Sequence, residues 1–415
     1  MMGEQVFRLL VGIGVGVWTA RMLGPVRFGE LSYAIAFASI FGIVATLGFN
    51  RILVRELVSN ASLPDTVRRL MNVVFSLRLM AAALMYAVCV AGAWLSGSHQ
   101  ILLIGLVAGS YFFSASDCID LYFQSRVQAR TTVRVRLVSF IAVTAVRVVL
   151  LIAKADLVAF AVATLLEYVG AAIALQWAYR HKGMHFSGLL HPDWKLARRL
   201  LAESWPEILA GFSGLLFIRL DQVMLHHLSG PAAVGTFAVA ARLSEAWYFI
   251  PSAIISSTFP NIVASRKISP ALYMRRLQML MAVLCAISYA AALSATLFAN
   301  PVIRLLYGVP YLQSASILTV HIWSGLFVSL GLASGSWIMA EKRVRLNLYR
   351  NLSGLVANII LNLLLIPEFG ALGAAYATLF SLIVAYMLFD LFVPSMREVG
   401  HGKWKAILVL PVLLR

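Results

Sequence analysis

The chain has 415 residues, of which 61% are hydrophobic and only 12% are charged, and its mean hydropathy is +0.87. This composition excludes an ordinary soluble domain. A net charge of +17 would suggest nucleic-acid binding in a soluble protein, but in a membrane protein such charge sets the topology and contacts anionic headgroups. The three cysteines all fall in apolar segments, so we expect no disulfide framework and no metal site.

Twelve apolar runs follow one another along the chain. A hydrocarbon core of roughly 30 Å is crossed by about 20 helical residues, and only helices satisfy their own backbone polar groups in lipid. Pro251 is expected to kink the eighth run. The sequence therefore predicts an all-α polytopic membrane protein. The predicted spans are 5–22, 30–49, 70–95, 100–123, 136–154, 157–179, 205–227, 232–258, 277–299, 312–340, 346–366 and 371–393.

Basic residues are concentrated in alternate connections between these spans. Four arginines follow the second span, for example, whereas the connection after the third span contains none. Short connections rich in Lys and Arg stay on the cytoplasmic side. The alternation therefore predicts that both termini lie in the cytoplasm.

Three short motifs of the first half recur in the second half, in the same order and at nearly the same offset. Because they occupy equivalent spans, they indicate a duplicated unit of six helices, and an even number of helices makes the two copies parallel. The predicted lobes are 1–180 and 205–394, joined by a cytoplasmic linker at 181–204, with 395–415 as a cytoplasmic tail or the start of a further span. The matched pairs are Gly24–Gly29 with Gly230–Gly235, Arg134–Leu137 with Arg343–Leu346, and Ala161–Leu165 with Ala375–Leu379.

Five arginines inside predicted spans are candidate functional residues, because an ionisable side chain there usually faces a cavity or a partner. Arg219 and Arg242 lie at nearly equal distances on either side of the turn at Gly230, so they are expected at similar depth. Two guanidinium groups at one level could bind a phosphate. Alternatively, Asp221 neutralises Arg242, and Glu245 completes a packing network. The other three arginines are Arg8, Arg78 and Arg147.

Three further sets of polar and charged residues are candidates for structural or functional roles. Arg147 and Glu167 lie on one predicted hairpin at depths that long side chains can bridge, which indicates a structural salt bridge. Arg51 and Arg55 project one turn apart after the second span and either recruit a diphosphate headgroup or only fix the topology. A third set, Asp117, Asp120 and Gln124, is predicted to form a solvated polar stripe rather than a cation site.

The chain resembles a known family over most of its length. The segments that carry the resemblance are Ala20–Gly29, Leu47–Arg51, Val54–Leu57, Asp221–Leu225, Gly230–Ala238 and Pro367–Ala375. They are similar to the polysaccharide transporters of the multidrug/oligosaccharidyl-lipid/polysaccharide exporter superfamily, which include the O-antigen (Wzx-type) flippases.

This resemblance implies a transporter and not an enzyme. The expected activity is alternating access between two lobes around a central cavity, which moves undecaprenyl-diphosphate-linked oligosaccharide from the cytoplasmic to the periplasmic leaflet of a bacterial inner membrane. The implied partners are this anionic lipid-linked oligosaccharide of surface polysaccharide or lipopolysaccharide biosynthesis, membrane lipids and other assembly proteins, but not nucleic acid. No cofactor is implied, and the coupling ion, H⁺ or Na⁺, stays open.

We assign the ten candidate residues to two roles. The expected substrate-binding residues are Arg219, Arg242, Asp221, Arg51, Arg55 and Arg8, and the expected structural or coupling residues are Glu245, Arg147, Glu167 and Arg78.

Two alternatives remain open. An ion-coupled exporter of cations would need a net-acidic cavity, whereas these spans contain more arginine. A polytopic glycosyltransferase or polysaccharide polymerase would need a large external loop.

Overall fold

The computed structural model describes residues 2–186 and 193–408, with the side chains of 2–6, 129 and 344 excepted. Every regular element in these residues is helical. Ten of their helical segments are long and apolar enough to cross a membrane. The prediction of an all-α polytopic membrane protein is therefore confirmed. Residues 187–192 of the predicted linker and 409–415 of the predicted tail lie outside the described residues.

The chain divides into two compact units. The amino-terminal unit comprises Met1–Leu23 and Glu30–Leu215, and the carboxy-terminal unit comprises Gly24–Gly29 and Leu216–Arg415. The first eight helices are α1 (Met2–Ala45), α2 (Asn50–Ser59), α3 (Pro64–Leu95), α4 (Ile101–Ala108), α5 (Ser110–Ser114), α6 (Asp117–Ser125), α7 (Ala129–Ile152) and α8 (Leu157–Arg180).

Ten further helices follow, together with a 3-10 turn at Val309–Tyr311, a π-helix at Val384–Leu388 and a 3-10 turn at Pro394–Met396. They are α9 (Trp194–Ser229), α10 (Pro231–Ala246), α11 (Phe249–Ser265), α12 (Pro270–Leu306), α13 (Gln313–His321), α14 (Ser324–Ala340), α15 (Val344–Phe369), α16 (Ala371–Ile383), α17 (Phe389–Phe392) and α18 (Arg397–Ile407).

All twelve predicted spans are mostly helical, but several of them are merged or divided. The fourth span comprises α4, α5 and α6, and the tenth comprises α13 and α14. The first and second spans lie in one kinked helix, α1. The eighth span is divided between α10 and α11, each shorter than a full span. The break at Trp247 lies four residues before Pro251, because the proline ring excludes the carbonyl of that residue from the helical hydrogen-bond pattern. Residues 194–204 of the predicted linker are helical as the start of α9.

The duplicated Gly-Pro motif has the same backbone geometry in both copies. Gly24 has φ 71° and ψ 172°, and Gly230 has φ 82° and ψ 177°. Residues with a side chain rarely adopt such positive φ values, and the following proline is well placed at the first turn of a helix. The repeat seen in the sequence thus corresponds to a repeated turn in the structure.

The last glycines of the two motifs make a reciprocal close contact within the carboxy-terminal unit. A Cβ on Gly29 would lie 1.8 Å from the carbonyl oxygen of Pro231, and a Cβ on Gly235 would lie 2.0 Å from that of Pro25. Only glycine permits two backbones to approach so closely. The contact is the same in both directions, as a pseudo-twofold relation between two copies of one motif requires.

Candidate functional site

A buried carboxylate with neutral partners lies in the carboxy-terminal unit. Asp221 of α9 is only 2% exposed. Its Oδ1 accepts hydrogen bonds from the side-chain amides of Asn358 at 2.8 Å and Asn362 at 2.6 Å, both on α15. Its Oδ2 lies 2.5 Å from the hydroxyl of Thr378 on α16. We call these four residues the Asp221 cluster.

Local helical spacing explains how this cluster assembles. Asn358 and Asn362 are one turn apart on α15, so their side chains share a face. On α16, Thr378 and Ser381 share a face for the same reason, and the Ser381 hydroxyl lies 3.5 Å from the Asn358 amide. The turn at Gly370, which has φ 56°, separates α15 from α16.

The hydrogen-bond donors of the Asp221 cluster do not suffice for its acceptors. The Thr378 hydroxyl lies 2.5 Å from Asp221 and 2.9 Å from the carbonyl oxygen of Ala374, but it has one proton and can donate to one of them. Asn362 Oδ1 is buried and accepts no hydrogen bond from the described atoms. A proton on Asp221 would remove the conflict at Thr378, because Asp221 could then donate to the Thr378 hydroxyl and Thr378 to Ala374. No group of three or more His, Cys, Asp or Glu side chains in residues 2–186 and 193–408 could hold a metal ion.

The expected pairing of Asp221 with Arg242 does not form, and this corrects the alternative drawn from the sequence. Asp221 and Arg219 are two residues apart on α9 and therefore do not share a face. The Arg242 guanidinium lies 4.8 Å from the centre of the Phe28 ring. The charges of Arg219 and Arg242 both act on Glu245 of α10. Asp221 thus has amide and hydroxyl partners, and both arginines lie where their charges act on Glu245 instead.

Three of the expected structural residues have clear partners in the amino-terminal unit. Arg147 Nη2 lies 2.9 Å from Glu167 Oε2, so the predicted salt bridge between α7 and α8 forms. Arg78 of α3 is 2% exposed, and its Nη2 donates a hydrogen bond of 2.8 Å to the side-chain oxygen of Asn50. This bond connects α3 with the start of α2.

The sequence predicted a solvated polar stripe on α6, but the two aspartates of this stripe form ion pairs with α7. Arg136 of α7 lies 2.7 Å from Asp117 and 3.3 Å from Asp120. Arg8 lies in the same unit, with its guanidinium 4.9 Å from the centre of the Phe140 ring. Arg8, Asp117, Arg136 and Phe140 line one cavity of about 170 Å³.

Arg51 and Arg55 form ion pairs with acidic residues of α9. Arg51 lies 3.5 Å from Glu207, and Arg55 lies 2.6 Å from Glu203 and 3.2 Å from Glu56. Both arginine side chains are more than half exposed. The sequence reasoning missed these partners because about 150 residues separate α2 from the acidic face of α9.

A second buried ionic cluster was not foreseen. Lys403 of α18 is fully buried, and its Nζ lies 2.5 Å from Asp390 Oδ2 and 2.7 Å from the carbonyl oxygen of Tyr386. Tyr386 lies in the π-helix Val384–Leu388, where the changed hydrogen-bond pattern leaves a carbonyl for another donor. Arg350 lies 3.9 Å from Asp390. Burial lowers the pKa of Lys403 to about 8, although Asp390 acts in the opposite direction.

Comparison with known proteins gives a consistent result. The family model described as "Polysaccharide biosynthesis protein" matches residues 2–266. Two relatives come from Haloferax volcanii. "Probable flippase AglR" is 28% identical over 41% of this chain, and "Probable low-salt glycan biosynthesis flippase Agl15" is 22% identical over 53% of it. The chain spans only 36% and 46% of the lengths of these relatives.

Solved structures show the same fold over nearly the whole chain. Lipid II flippase MurJ in an inward closed conformation has a TM-score of 0.70 and 14% identity, and the match covers 99% of this chain and 91% of that one. An inward-facing multidrug resistance MATE family transporter has a TM-score of 0.65 and 13% identity, with coverage of 94% and 96%. At this identity the likeness concerns the fold.

Proposed function

Because the chain belongs to the family of polysaccharide biosynthesis proteins, we propose that it is a flippase for a lipid-linked oligosaccharide. The cargo is an oligosaccharide on undecaprenyl diphosphate, which moves from the cytoplasmic to the periplasmic leaflet of a bacterial inner membrane by alternating access. Both termini lie in the cytoplasm, and the product enters surface polysaccharide, such as the O-antigen of lipopolysaccharide. The names of the two relatives and the fold shared with a lipid II flippase support this proposal.

The observation that carries the proposal is the pair of arginines around Glu245. Arg219 and Arg242 both attract this carboxylate, so the group of three has a net positive charge. Because Asp221 is engaged by amides and a hydroxyl, it does not neutralise them. Guanidinium groups bind phosphate oxygens through two parallel hydrogen bonds, which suits a diphosphate headgroup.

Asp221 serves in this proposal as the coupling residue rather than as a substrate ligand. An ionised carboxylate is costly within a membrane unless a cation or a proton compensates it. Because the partners of Asp221 are neutral, a mobile proton or monovalent cation must compensate its charge. Binding of that ion would change the charge of α9. Arg219 lies on the same helix, two residues away.

The competing function is export of organic cations, which is compatible with the fold shared with a MATE transporter. A buried carboxylate such as Asp221 could bind a cationic compound directly. The charge around Glu245 favours an anion instead, so the two functions predict opposite results for the same arginine variants.

The test measures movement of a fluorescent undecaprenyl-diphosphate oligosaccharide across liposomes containing the purified protein. Arg219→Ala and Arg242→Ala should each lower the rate on the order of tenfold or more, because a hydrogen bond to a charged group contributes about 1.5–3 kcal/mol. Lys at either position should rescue the rate only in part, since it lacks the planar fork.

Arg304→Ala provides the matched control, because Arg304 is exposed in the last turn of α12, and its rate should be unchanged. Normal rates in both Arg219→Ala and Arg242→Ala would refute the anion site. Uptake of ethidium that increases in these variants would instead favour the cation exporter.

A further inference from the structure

The amino-terminal unit contains a polar cavity with no assigned role. Its volume is about 170 Å³, large enough for one small-molecule ring, and it is bounded by side chains of α1, α5, α6, α7 and α8. Arg8, Asp117, Arg136 and Glu167 bring charged groups to its wall. A cavity with this lining inside a membrane helix bundle is a functional-site candidate.

The charges of the cavity wall are balanced. Arg136 lies 2.7 Å from Asp117, and Glu167 is held by Arg147 at 2.9 Å. An anion entering the cavity would meet two carboxylates, and a cation would meet the guanidinium groups of Arg8 and Arg136. The balance therefore favours a ligand that has no net charge but can both donate and accept hydrogen bonds.

Two buried hydrogen-bonding groups of the residues that line the cavity lack a partner. The Ser139 hydroxyl is buried and has no partner among the described atoms, and the same holds for Nε of Arg136. Gly170 lies opposite Ser139, and a Cβ there would come within 2.6 Å of the Ser139 oxygen. The missing side chain at Gly170 thus lets the Ser139 hydroxyl of α7 lie directly against α8.

Aromatic rings supply the apolar part of the wall. Phe113, Phe140 and Tyr168 line the cavity beside the charged groups. An aromatic face packs against C–H groups, while carboxylate and guanidinium groups bind neighbouring hydroxyls through two hydrogen bonds. A pyranose ring has both surfaces, namely a C–H face and a rim of hydroxyls, and it is neutral.

We propose that this cavity binds one neutral sugar ring of the oligosaccharide cargo, in contact with Asp117, Arg136 and Ser139. This site deepens the proposed function and rests on it. The arginines around Glu245 bind the diphosphate, whereas this cavity binds a sugar ring. Selection among oligosaccharides would then depend on residues of the amino-terminal unit.

The test uses saturation-transfer NMR on the purified full chain with free D-glucose, D-galactose, D-mannose, L-rhamnose and N-acetyl-D-glucosamine as probes. The wild type should give saturation transfer to at least one of these sugars. Ala171→Phe fills the cavity, because Ala171 lines it, and should abolish the signal. Ile173→Phe is the matched control on the same helix, since Ile173 is 65% exposed, and it should keep the signal.

Ser139→Ala is the second variant, because it removes one hydroxyl without adding volume. It should weaken sugar binding roughly two- to tenfold, as expected for one lost hydrogen bond, even if Ala171→Phe does not fold. Absence of any sugar signal in the wild type overturns the sugar site, and so does unchanged binding in both variants.

Movement of undecaprenyl diphosphate without sugar separates this proposal from the proposed function. If Ala171→Phe moves the sugar-free lipid normally but has lost its preference for the glycosylated lipid, the sugar site is supported. If the wild type moves neither lipid while the sugar signal persists, the flippase proposal has failed and the cavity remains a sugar site.

Discussion

Two buried aspartates of the carboxy-terminal unit are compensated in opposite ways. Asp221 is surrounded by amides and a hydroxyl, whereas Asp390 is held by Lys403 and Arg350. Fixed cations neutralise a carboxylate permanently, and removing one of them leaves an uncompensated charge. Neutral partners leave the charge of the carboxylate free to change with a proton or a mobile cation. The comparison therefore supports a structural role for Asp390 and the proposed coupling role for Asp221.

The largest expected effect on stability follows from breaking the buried ionic cluster of Asp390, Lys403 and Arg350, which we call the Asp390 cluster. Lys403→Met should lower the free energy of unfolding by about 3–5 kcal/mol, because it leaves a buried carboxylate without its nearest cation. Denaturant unfolding of the purified protein measures this change. The double variant Lys403→Met with Asp390→Leu should recover most of the loss, and a double variant as unstable as the single one would contradict the pairing.

Asp221→Asn should have the opposite pattern, with little loss of stability and a large loss of transport. Asparagine keeps the shape and can hydrogen-bond to the same neutral partners, so the unfolding free energy should change by less than about 1 kcal/mol. Transport driven by an ion gradient should nevertheless fall, because the residue no longer changes charge. Gradient-driven flipping in liposomes checks this, and a variant that still responds fully to the gradient removes Asp221 from coupling.

The Arg147–Glu167 pair should behave as a weaker version of the Asp390 cluster. Both side chains keep about a quarter of their surface exposed, so solvent screens their attraction. A double-mutant cycle with Arg147→Met and Glu167→Gln should give a coupling energy of about 1 kcal/mol. A coupling energy near zero in unfolding measurements would remove the structural role of this pair.

Exposed pairs should matter less for stability. Replacing Arg51 and Arg55 with Gln should leave the unfolding free energy almost unchanged, because exposed ion pairs contribute little. If these arginines only pair with α9, transport should stay normal at all salt concentrations. If they recruit the diphosphate headgroup, transport should fall most at low ionic strength, so flipping rates at two salt concentrations distinguish the interpretations.

The smallest effect is expected at Asp193, a half-buried carboxylate just before α9. Hydrogen bonds from the backbone N–H of Leu196, and then the nearby Arg69, hold the pKa of Asp193 below its usual value of 3.8. Its stabilisation of the helix start is thus complete above pH 3.8 and is lost as pH falls through the lowered pKa. A ¹³C titration of this carboxyl group measures the shift, and Arg69→Gln should move the midpoint toward 3.8.

Part of the candidate site followed from the sequence and part did not. The Arg147–Glu167 pair was predicted because both residues lie on one hairpin, where depth along each helix can be counted from the turn. The partners of Asp221 were missed because Asn358, Asn362 and Thr378 are 137 to 157 residues away. Nothing in the local spacing of Asp221 distinguishes a neutral partner from an arginine.

The sequence by itself determined the helical spans and the duplicated turn. Hydropathy over about 20 residues decides whether a segment crosses lipid, and the positive φ at Gly24 and Gly230 depends on the glycine itself. Only the tertiary structure decided which charges are compensated, and by what. Partner choice depends on which helix faces meet, and residues far apart in the chain supply those faces, as Asp221 on α9 and Asn358 on α15 show.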